Sequence, residues 1–91
     1  MTKERACEIA MNHSKYNIGD VSYYKLADGR NLHIQTLYEP LYYIDDDYVT
    51  YIDTENDDGD CMETHTAHMN DIDDIAHWIH EMCYSTEEVS E

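Results

Sequence analysis

A chain of 91 residues supports one domain with a small core, and a hydrophobic fraction of 42% with nine tyrosines argues that it folds despite a net charge of −16. That charge weighs against direct binding to DNA or RNA, whose phosphates it would repel. No apolar run follows a basic segment and none reaches the length of a membrane span, so neither signal peptide nor transmembrane helix is expected. The three cysteines (Cys7, Cys61, Cys83) are widely spaced without a CxxC, and read as reduced thiols of a cytoplasmic protein.

Residues 2–14 predict a helix that Thr2 can cap, with Ala6, Ile9, Ala10 and His13 on one thin stripe, suited to a helix packing as a lid. VSYYKL and NLHIQTL flank ADGR, and Asp28-Gly29 is a hairpin signal. Pro40 interrupts the next run. LYYI and YVTYID, on either side of Asp45-Asp46-Asp47, read as one bent strand or a second hairpin. NDDG at 56–59 predicts a turn, and CMETH a short returning strand. Asn70 is expected to cap a second helix running to about Tyr84. Its apolar face is Ile72, Ile75, Ala76, Ile79, Met82 and Cys83, opposite Asp73, Asp74, His77 and Glu81. The expected fold is α+β: a helix, an antiparallel meander of three or four strands, and a C-terminal helix. Residues 1–84 form the expected domain, and residues 85–91 an acidic, flexible tail.

The charge is unevenly distributed. Five bases lie among the first thirty residues beside four acids, a balance of +1, whereas the remaining sixty-one carry seventeen acids and no base, a balance of −17. The segment YIDDDYVTYIDTENDDGD (residues 43–60) alone holds eight carboxylates.

Metal chemistry finds partial patterns. From Asp53 the sequence D-x-E-x-D opens like a calcium loop, but Gly59 comes one place late and Thr64 stands where the bidentate Glu belongs. Cys61, His65, His68, His77, His80 and Cys83 are metal-capable residue types, although their spacing matches no paired zinc pattern. His80 with Asp73 or His77 could form a small surface site. GxSxG, HExxH, P-loop and dinucleotide-binding glycine patterns are missing, so catalysis is not expected, nor is a cofactor.

The carboxylates remain as the functional feature. Alternate strand positions lie about 6.7 Å apart and helix positions three or four apart about 5–6 Å, spacings of the order of those between nucleic-acid phosphates. The candidate partner-binding residues are therefore Asp45, Asp46, Asp47, Asp53, Glu55, Asp57, Asp58, Asp60, Asp71, Asp73, Asp74 and Glu81, with Tyr43, Tyr48 and Tyr51 interleaved to stack on arginines.

In size, charge, its Asp/Tyr-rich middle and the acidic capped helix NDIDDIAHWIHEM, the chain resembles the small acidic phage proteins that mimic DNA, the antirestriction and anti-CRISPR class. The resemblance implies a non-enzymatic inhibitor that occupies the cationic nucleic-acid channel of a CRISPR effector or restriction enzyme. A metal- or ion-responsive binding module and an acidic antagonist of a basic, toxin-like partner are the alternatives. No membrane partner is expected, and self-association as a homodimer stays open.

Overall fold

The computed structural model describes residues 1–13, 19–38 and 48–89. Helix α1 (Lys3–His13) is followed by strands β1 (Val21–Lys25), β2 (Asn31–Tyr38), β3 (Tyr48–Glu55) and β4 (Cys61–His68), and then by helix α2 (Ile72–Met82). The strands form one antiparallel meander in the order β1-β2-β3-β4. The fold is thus α+β, as the hydrophobic periodicity predicted. Asp45, Asp46, Asp47 and Tyr43 lie outside the described residues, as does the break expected at Pro40.

Turn chemistry sets the register. Gly29 adopts φ 95°, which a side chain would oppose, and the Leu26 and Arg30 main chains close the hairpin at 2.9 Å. This pairs Lys25 with Asn31 and Tyr23 with His33. In the β3–β4 turn Gly59 has φ 85°, and the Asn56 carboxamide oxygen accepts N–H bonds from Asp58 at 3.0 Å and Asp60 at 2.9 Å.

Strand alternation places Leu32, Ile34 and Ile52 against both helices, where they form one core with Ala6, Ile9, Ala10, Ile75, Ala76, Ile79, Met82 and Cys83. The stripe on α1 is narrow because its alanines let α2 approach closely. Ala6, Ile9 and Ala10 are all fully buried, so α1 is half of the helical layer and not a lid. At its end His13 is buried too, with Nδ1 2.9 Å from Ser22 Oγ and Nε2 3.1 Å from Thr36 Oγ1, and Thr36 Oγ1 lies 2.8 Å from Thr50 Oγ1. Desolvation lowers the pKa of His13, opposed in part by the charge of Asp20.

Three expectations are corrected. The returning strand extends past His65 to His68, because Thr66, Ala67 and His68 continue the pairing with Tyr51, Thr50 and Val49 of β3. Asp71, not Asn70, caps α2: its carboxylate accepts the Asp74 N–H at 3.0 Å, while Asn70 N–H bonds His68 Nδ1 at 3.1 Å. Residues 85–89 do not leave the domain at Tyr84 but run beside β1. There Leu26 bridges Glu88, and both Ala27 N–H to Glu87 O and Val89 N–H to Lys25 O measure 2.8 Å. Arg5 holds this segment by bonding Glu88 through Nε at 2.9 Å and Nη2 at 2.6 Å.

Candidate partner-binding surface

Both helices cover one face of the sheet; on the other face no described helix or strand packs, yet Val49 there is fully buried. Across that second face the register aligns Tyr23, His33, Asp53 and Thr64 in one row, and Lys25, Asn31, Glu55 and Cys61 in the next. Tyr23 is 60% exposed, and its ring lies 4.8 Å from that of His33. Its hydroxyl donates to Glu55 Oε2 at 3.3 Å. His33 Nδ1 lies 3.2 Å from Asp53 Oδ2 and 3.7 Å from Glu55 Oε1. Local desolvation and the charge of Glu55 raise the pKa of the Tyr23 phenol, which stays a donor at neutral pH.

The acids anticipated as one array are distributed in three groups. Asp53 and Glu55 belong to the face away from the helices but are tucked in, with side chains 17% and 18% exposed. Asp57, Asp58 and Asp60 project into solvent from the turn that Asn56 pins. Asp71, Asp73 and Asp74 gather at the start of α2, at the far end of β4, where they complement the helix dipole. An eight-residue strand separates these last two groups, a span of about 27 Å. Glu81 is exposed in the last turn of α2, away from both. Tyr48 and Tyr51 are half-buried on β3, and Tyr48 packs on Tyr38 with ring centroids 5.3 Å apart. Tyr23, His33 and Asn56 were not singled out in the sequence. The signal for the first two was the hairpin register, which Asp28-Gly29 fixes.

The metal-capable residues are engaged elsewhere. His65 stacks on Trp78 at 3.9 Å with 5° between planes, and bonds Glu63. Cys83 is buried, and desolvation pushes its thiol up to about 11. Asp73, His77 and His80 line a groove of about 210 Å³ between the helices, with Lys3, Cys7 and Ala76. Among the described residues no group of three or more His, Cys, Asp or Glu is placed to hold a metal ion. The residues of the D-x-E-x-D pattern lie on β3 and its turn, in a hairpin and not between helices. No described helix is long and apolar enough to cross a membrane. Compared with protein-family models, curated proteins and solved structures, the chain matches none of them.

Proposed function

We propose that this protein is a non-enzymatic inhibitor that presents carboxylates, as a DNA mimic, to the cationic nucleic-acid-binding surface of a host defence protein. A CRISPR effector complex or a restriction enzyme in the bacterial cytoplasm is the expected partner. One observation carries the reading: after Arg30 the chain holds seventeen acids and no base. A merely solubilising surface would intersperse both signs. This field instead suits a basic channel, to which it steers the protein while repelling DNA. The backbones of Asp58 and Asp60 on the turn and of Asp74 at the start of α2 are held by side-chain caps, so little backbone order is lost there on docking.

The test is a gel-shift competition in which this protein displaces duplex DNA from candidate effectors. Displacement should weaken steeply between about 50 and 300 mM salt, as exposed charges are screened within about 10 Å at 0.1 M. Displacement indifferent to salt, or none from any effector or restriction enzyme tried, rejects the mimic.

A further inference from the structure

The sheet ends on two unlike edges. Residues 87–89 occupy the outer side of β1 through the Ala27 and Val89 N–H bonds, whereas no described strand pairs with the far side of β4. Where the β3–β4 turn closes, Asn56 N–H bonds Asp60 O at 3.0 Å. Alternation from that bond makes Thr54 with Glu63, Ile52 with His65 and Thr50 with Ala67 the pairs that exchange main-chain bonds. The N–H and C=O of Thr64 therefore turn away from β3. An irregularity falls at Thr54/Glu55, and the pairing is regular from Glu63 to His68. Edge strands are ordinarily shielded by Lys, Pro or a covering segment, since their outward main-chain groups accept a further strand. β4 contains neither Lys nor Pro, and Cys61, Met62, Glu63 and Thr64 are all exposed.

The charge around this edge selects what can fill it. β4 carries one acid, Glu63, but Asp57, Asp58 and Asp60 stand at one end and Asp71, Asp73 and Asp74 at the other. A second copy adding its own β4 would bring the same acids, so carboxylates would face carboxylates at both ends whichever way the strands ran. An extended segment with basic residues at its two ends and uncharged residues between them satisfies main chain and charge together. We propose that the outer edge of β4 receives such a segment of the partner protein as an additional strand. Its main chain bonds that of Thr64, and its basic ends, about eight residues apart, lie against the turn and the start of α2. The assignment rests on the inhibitor reading for its partner, and adds a directional main-chain contact to an otherwise non-specific field.

The experiment titrates isotopically labelled protein with the peptide RRTVTVTRR at about 150 mM salt, following backbone amide shifts. Shifts should be largest at Met62, Glu63, Thr64 and His65. An added strand directs only alternate N–H groups toward β4. Two further peptides carry N-methyl groups either on the threonines or on the valines. One of them should bind at least about tenfold more weakly than the parent peptide, and the other within about twofold of it. Thr64→Pro removes an N–H that the pairing with β3 does not use, at an edge that tolerates proline, so binding should be lost while the fold persists. The methylated peptides test the same bonds without altering the protein. Equal binding of the two methylated peptides, or shifts concentrated on the β3–β4 turn and α2, leaves charge alone and overturns the strand addition. So does a dimer in sedimentation equilibrium that Thr64→Pro dissociates, which would assign the edge to a second copy. DNA displacement is measured independently, so the two proposals fail separately.

Discussion

At the scale of single residues, His13 and Cys83 show what burial does to groups the sequence placed on apolar faces. Both belonged to apolar stripes read from helical spacing, so their burial was legible. The hydroxyl partners of His13 on β1 and β2 were not, because they depend on how the helix crosses the sheet. His13 titrates near 6.5 unfolded and lower when folded, so its neutral form is fully compatible with the fold above about pH 6.5. As pH falls through that value the unfolded chain gains a proton that the native state resists, and stability is lost. The loss approaches about 1.4 kcal/mol per pH unit while only the unfolded chain binds that proton. His13→Gln should flatten the melting-temperature profile between pH 7 and 5, and a profile parallel to that of the parent would contradict this. Carboxylates titrate in both proteins, so the comparison isolates the histidine. Cys83, buried and raised to about 11, should resist iodoacetamide at pH 7.5, whereas the exposed Cys7 and Cys61 react. Intact-mass measurement should show two adducts on the native protein and three after denaturation.

At the scale of elements, what could be read was whatever local chemistry dictates. Asp28-Gly29 specified a hairpin, the apolar spacing of α2 specified its buried face, and Thr2 caps α1 through the Arg5 N–H at 3.1 Å. Errors arose where main-chain groups decide the outcome. The docking of residues 85–89 on β1 uses backbone N–H and C=O groups that every residue type carries, and the Arg5–Glu88 pair spans nearly the whole chain. β4 looked short because its exposed edge carries Thr and His where a buried strand would show Val and Ile. The α2 cap was displaced by one residue because Asn70 and Asp71 are both capping types, and geometry selected Asp71. Asp71→Ala should therefore cost about 1 kcal/mol of unfolding free energy, and Asn70→Ala appreciably less. Urea denaturation of the two variants decides it, and the reverse order would restore Asn70 as the cap.

At the scale of the molecule, the same charge acts with opposite signs on folding and on binding. A net charge of −16 on so small a body repels itself, so salt should raise the melting temperature while weakening displacement of DNA from the partner. Position should matter as well as number. Asp57, Asp58 and Asp60 hang on a turn whose backbone is fixed by the Asn56 carboxamide and Gly59, and their carboxylates are exposed. Replacing all three by Asn leaves those backbone bonds in place, relieves repulsion and should leave the melting temperature equal or higher. Glu4, Glu8 and Asp20 are equally exposed, but they lie in the near-neutral first third of the chain. Changing them to Gln, Gln and Asn removes the same three charges, so long-range steering falls about equally in both triple variants. Only the turn variant also loses close contacts with a cationic channel, and it should need at least about tenfold more protein to displace the same duplex. Equal losses from the two triple variants would reduce the carboxylate array to net charge alone.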